Sequence, residues 1–292
     1  MRYIVALLIL LAAPAQVFAF SAMRNDDCMA AWKVINKGRQ AGSIAFPLPK
    51  DGWCPAPIRL PASKATINGI AFDRIEWRAE GIQKLLVQSL PPDALAIRIT
   101  DDDMLRKLGL DVKADAPAMP MQIVLNLRQN AKDRQLVIEN LTIYGPKDNL
   151  VTLQGVFNDV DLSSLAKMQL SLGRARLRDV TMVAHGNHKL ESYLRPYFGA
   201  TLPERSRKRA AMIDKVLDWP DHSFPPATKR AVQKLIASLP APNGSLQVKV
   251  DMGAGLSAGI FMQPVLFGGS FDDMLKSALE GMVFHANWTA AE

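Results

Sequence analysis

The sequence predicts an α+β protein: a curved antiparallel β-meander sheet packed by helices, with an N-terminal disulfide-tied segment and a basic helical hairpin. Three observations carry this. Between Met121 and Val183, apolar residues return at every second position in a series of short runs; the links between runs are short and polar; and after His185 the spacing turns helical. A two-residue period marks a strand with one dry and one wet face, and parallel pairing would need long crossovers that these links do not supply.

The first run puts Met121, Ile123, Leu125 and Leu127 on one parity, with Gln122, Asn126 and Arg128 on the other. Residues 130–133 form a link of hairpin length. In the next run the apolar parity changes, from Leu136 and Ile138 to Leu141 and Ile143. A one-residue slip would turn every side chain over, so a bulge is expected near Asn140. A Gly-Pro-Lys-Asp-Asn turn leads to Val151, Leu153, Gly155 and Phe157. Met168, Leu170 and Leu172 are read as the next strand, followed by Leu177, Val180 and Met182. The apolar surface expected to meet a ligand is Met121, Ile123, Leu125, Val151, Leu153, Leu170 and Leu172.

From the N-terminus, residues 1–19 carry Arg2, a short apolar core, Pro14, and small residues at Val17 and Ala19. The core is too short to span ~30 Å of hydrocarbon, so a signal peptide cleaved after Ala19 is expected, with export to the periplasm. A second cut, at the Ala13-Pro14-Ala15 triplet, ranks below it. Residues 20–62 are read as a helix and a Pro-rich strap. The two cysteines, Cys28 and Cys54, form an even pair suited to an oxidising compartment and are expected to bond. Asp26 and Asp27 are expected to cap a helix over residues 28–37, and the proline-rich run at 46–61 cannot be a central strand.

Residues 63–292 are read as the sheet domain, with a helical insert at about 188–240. Ile70, Phe72, Ile75 and Trp77 alternate; Ile82, Leu85, Leu86 and Leu90 have helical spacing; Leu95, Ile97 and Ile99 alternate again. Thr100-Asp101-Asp102-Asp103 is read as a helix start that Gly109 ends, in preference to a metal loop. His185 and His188 with Glu191 lack a third strong ligand and read as a turn. Thr201 and Glu204 fit a capping box, and Pro225-Pro226 opens a second helix. This hairpin concentrates basic residues, and Arg205, Arg207, Lys208, Arg209, Lys229 and Arg230 form the candidate patch for an anionic surface. Residues 245–252 and 282–288 read as strands, with a short helix at 271–279 between them.

The net charge of +7 is basic, but an exported chain rarely meets nucleic acid, so anionic lipid, a membrane surface or envelope proteins are the partners expected. The glycines after Met252 have the wrong spacing for a dinucleotide loop, and no cofactor or metal is expected. Neither Gly-x-Ser-x-Gly nor His-Glu-x-x-His occurs, and no catalytic residue is assigned.

The run LQGVFNDVDLSSLAKMQLSLGRARLRDVTM, followed by a basic helical region, GSLQVKVDM, SFDDMLKSAL and a last strand, resembles the bacterial AsmA-like envelope proteins from about residue 136 onward. That resemblance implies a long curved sheet with an apolar inner groove and a role in lipid handling or envelope maintenance. The chain is short for such a protein. The function expected is a non-catalytic envelope protein that binds lipid or another amphiphile; the alternative is a protein–protein assembly factor with no lipid groove.

Overall fold

The computed structural model of the chain describes residues 20–35, 44–45, 47–59, 65–67, 70–104, 120–145, 149–199, 201–253, 256–257 and 281–291. The expected signal peptide, the helix at 271–279, Gly109 and the end of the first helix lie outside these residues.

The strands in chain order are β1 (Ile44–Ala45), β2 (Cys54–Pro55), β3 (Ile58–Arg59), β4 (Ala65–Ile67), β5 (Ile70–Phe72), β6 (Arg74–Glu80), β7 (Ala94–Asp101), β8 (Met121–Asn130), β9 (Gln135–Tyr144), β10 (Leu150–Asn158), β11 (Arg176–Gly186), β12 (Gly244–Asp251), β13 (Leu256–Ser257) and β14 (Val283–Ala290). The helices are α1 (Asn25–Ile35), α2 (Ile82–Gln88), α3 (Leu165–Leu172), α4 (Glu191–Phe198), α5 (Leu202–Leu217) and α6 (Pro226–Ser238). A single open antiparallel sheet runs β14-β12-β11-β10-β9-β8-β7-β6-β2, with β13 added to β11. Short pairs β1–β3 and β4–β5 stand apart from it.

Alternation along each strand becomes a continuous stripe across the sheet. Cys54, Trp77, Ile97, Leu125, Leu141, Leu153, Met182, Val248 and Ala286 are successive cross-strand partners. The next row, on the opposite face, reads Glu76, Arg98, Val124, Thr142, Thr152, Val183, Gln247 and Asn287. Directly opposed side chains of this kind contribute roughly 0.2–1 kcal/mol each over alanine pairs.

Two bulges keep the stripe dry. Asn126 pairs Asn140 while the following Leu127 pairs Ile138, leaving Glu139 as an extra residue in β9. Both apolar sets of that strand, Leu136/Ile138 and Leu141/Ile143, therefore face the same side, as the parity change required. In β11, Gln154 pairs Thr181 while Val156 pairs Arg178, and Asp179 between them takes φ 52°. That second bulge reconciles Leu177 with Val180 and Met182.

The strand expected at Met168–Leu172 is a helix instead. Ser164 accepts a hydrogen bond from the Lys167 amide and caps α3, and Gly173 closes it. Met168 packs with the buried Val160, Leu162 and Ala175, which cover Leu136 and Phe157 of the sheet. Met168, Leu170 and Leu172 alternate, but Leu165, Met168 and Leu172 also have helical spacing, and the serine cap decides between the two periods.

A second correction concerns Thr100, which does not cap the helix: Thr100 and Asp101 end β7, and helix begins only at Met104. The Asp101 carboxylate is fully buried and accepts from the Asp73 and Asp103 amides, so it fastens two turns of backbone.

The N-terminal segment straddles one sheet edge. Cys28 and Cys54 are bonded, with their Cα atoms 5.6 Å apart. On the dry face, Met23 and the cystine pack with Trp77 and Ile82. On the wet face, Phe20 and Trp53 bury Ala94 and Ala96. The strap joins the sheet through the two-residue edge strand β2, where a proline is tolerated, and through the Ala56 amide, which donates to the Ile75 carbonyl of β6 at 2.8 Å.

At the other edge, the α6 hydroxyl of Thr228 donates to the Phe284 carbonyl at 2.5 Å and accepts from the Ala286 amide at 3.1 Å. The Phe284 amide donates to the Ser223 carbonyl, and the Phe284 ring stacks on Phe224 with centroids 4.7 Å apart.

Replacing Thr228 with Val keeps its volume and removes both bonds; equilibrium urea unfolding is expected to show a loss of about 1–3 kcal/mol. The Cys28→Ala/Cys54→Ala double variant is expected to lose about 3.5 kcal/mol by the chain-entropy argument, read in the same experiment.

Candidate functional site

The helical insert between β11 and β12 folds back over one end of the dry face. Asn187 caps the short turn before α4, and its own amide donates to the Oδ1 atom of buried Asn149 at 2.9 Å. This places Leu190 and Leu194 above the ends of β10 and β11. From the other side, α6 brings Leu235 and Leu239, and Pro242 follows. Between these helices and the sheet residues Met121, Ile143, Val151, Ala184, Leu246 and Trp288 lies a half-open cavity of about 250 Å³. Its lining is almost wholly apolar: among the described residues His185 is the one titratable residue there, and Asn149, the one with a side-chain amide, is engaged with Asn187.

Of the residues assigned to the apolar surface, Met121 and Val151 line this cavity. Ile123 lies along the same face under Phe72, Ile75 and Met104. Leu153 packs with the buried Val180, Val250 and Met282. Leu125 is half-buried at mid-sheet. Leu170 does not belong to the surface: it stands on α3 and is 79 % exposed. Leu172 lies on that helix too, so neither is a strand residue. The cavity's remaining walls, from Leu190 to Trp288, were not singled out by spacing, because they converge from segments far apart in the chain.

The basic hairpin has a different character from the one its composition suggests. The Lys208 ammonium donates to the Tyr197 carbonyl at the end of α4. Arg209 donates to the Ala237 and Leu239 carbonyls at the end of α6, at 3.2 and 3.3 Å. Lys229 donates to the Leu217 carbonyl ending α5 at 2.8 Å and pairs with Asp221. Arg205 lies 3.6 Å from Glu191 of α4, which also holds Arg195. Three helix C-termini, each with unsatisfied carbonyls and a negative dipole end, are thus closed by cations from a neighbouring helix. Arg207 and Arg230 remain exposed.

The wet face holds the strongest electrostatics. The Arg78 guanidinium lies 4.8 Å from the Phe20 ring centre and 4.3 Å from that of Trp53, which Arg98 approaches equally closely. Burial, and then the positive charge of Arg98, push the Arg78 pKa below its ordinary value. Arg98 is tied to buried Glu76 at 2.7 Å. Burial works against the charge of Arg128, but the hydrogen bonds it donates to Glu80 and Glu139 outweigh that and raise its pKa. The bulged Glu139 thus gains a partner on the wet face.

Among the described residues, no three His, Cys, Asp or Glu side chains gather as a metal site, and no helix is long and apolar enough to cross a membrane. No family model, curated protein or solved structure matches the chain.

Removal of the α6 cap by Arg209→Ala is expected to lower stability by about 1–2 kcal/mol in urea titrations, whereas Arg207→Ala stays within roughly 0.5 kcal/mol of wild type.

Proposed function

We propose that this chain is an exported, non-catalytic envelope protein whose dry-face cavity holds the hydrocarbon part of an amphiphile. The observation that carries this reading is the lining of the cavity: a half-open space between sheet and helices with almost no polar surface. A peptide segment in the same place would bury amide and carbonyl groups, each requiring a partner that these walls do not offer. A hydrocarbon chain requires none, and gains roughly 25 cal/mol for each Å² of apolar surface removed from water.

Three further features support the reading. The N-terminal charge and apolar pattern suits export. The Cys28–Cys54 bond suits an oxidising compartment. The resemblance of the later strands and helices to AsmA-like proteins suits a role beside membranes. A surface role for the basic hairpin would rest on exposed Arg207 and Arg230, since four of its cations are engaged within the insert.

The experiment is displacement of a fluorescent acyl probe from protein purified from the periplasm, with native mass spectrometry for co-purified lipid. Ala184→Phe, projecting into the cavity, is expected to weaken probe binding at least tenfold, about 1.4 kcal/mol, while Gln247→Phe on the wet face leaves it unchanged. Retention of probe by a folded Ala184→Phe variant, or a clean apo mass with no probe binding, would overturn the proposal.

A further inference from the structure

Building on that reading, we infer that the cavity admits one acyl chain and makes no selection on the head group, so that its ligands are single-chain amphiphiles such as fatty acids and lysolipids rather than two-chain phospholipids. Two observations carry this: the size of the space and the absence of charged walls.

The volume of about 250 Å³ falls just below the ~300–1,000 Å³ of pockets that enclose small drug-sized ligands. One chain fits such a space, and a second would need the helices to part. The walls are built against that movement. Thr228 bolts α6 to the backbone of β14 through two hydrogen bonds, and Arg209 closes the far end of the same helix. On the other side α4 is held to α5 by Lys208 on the Tyr197 carbonyl and by the Glu191–Arg205 pair.

A charged head group finds no counter-charge inside. Among the described residues, no Lys, Arg, Asp or Glu lines the space, and the Asn149 side chain is already engaged by the Asn187 amide. Carrying a phosphate or carboxylate into such walls would strip its water with no partner to replace it, so the head stays at the solvent side and the tail enters alone. His185, the one titratable residue among the described lining, is exposed. Discrimination then rests on the number of chains.

The test uses the wild-type protein and three probes with one shared tail: dodecanoic acid, dodecylphosphocholine and dodecyl maltoside, each below its micelle concentration. A short two-chain phosphatidylglycerol is the fourth. Dissociation constants from fluorescent-probe displacement, with stoichiometry from native mass spectrometry, are expected to agree within about threefold across the three heads. The two-chain lipid is expected to bind at least tenfold more weakly. Equal or tighter one-to-one binding of the two-chain lipid, or a tenfold preference for one head group, overturns this inference and leaves the carrier reading standing. Failure of all four to bind overturns both.

Discussion

Everything in this structure depends on keeping one side of a long antiparallel sheet free of polar groups. Nine successive cross-strand partners, from Cys54 to Ala286, lie in one register row, and each is apolar. With a side-chain period of two, a single misplaced residue anywhere in a strand would break that row. The extra residues at Glu139 and Asp179 absorb the two places where the sequence changes parity. Bulges also bend a strand and increase its twist, so the devices that preserve the dry face shape it as well.

The helices are distributed according to the same requirement. The cystine and α1 cover the β6 end, α3 covers the ends of β9 and β10, and the insert covers β11, β12 and β14. What they cover incompletely becomes the cavity. The insert's cations lie where helix dipoles and unpaired carbonyls attract them, so much of the basic excess of that region serves its own cohesion. The sheet's wet side uses charge differently. There Arg128 spans Glu80 and the bulged Glu139, and two arginines clasp Trp53.

Where local periodicity is the physical cause of structure, the sequence is readable. The strands around Met121, the bulge beside Asn140, the capping box at Thr201 and the pairing of the two cysteines all follow from neighbours in the chain or from simple counting. Residues 165–172 show the limit: alternation and helical spacing coexist there, and the outcome turned on one serine oxygen accepting from Lys167. Asp101 misleads in a related way, because its partner Asp73 is 28 residues distant. The cavity is the least legible feature. Met121 and Trp288 share it only after six of the sheet's strands have been laid side by side. Likewise, composition reveals that the hairpin is cationic but not which cation sits above which carbonyl.

The treatment of the two sheet borders has a consequence for how copies of the molecule meet. A bare β border invites another chain to zip onto it. Here one border is a two-residue strand interrupted by Pro55 and anchored through Cys54, and the other has a threonine hydroxyl inserted where a foreign strand would bond. The sheet is finite by construction: its greasy side runs unbroken from strand to strand, while its two borders deny its siblings a seam along which to grow into fibres.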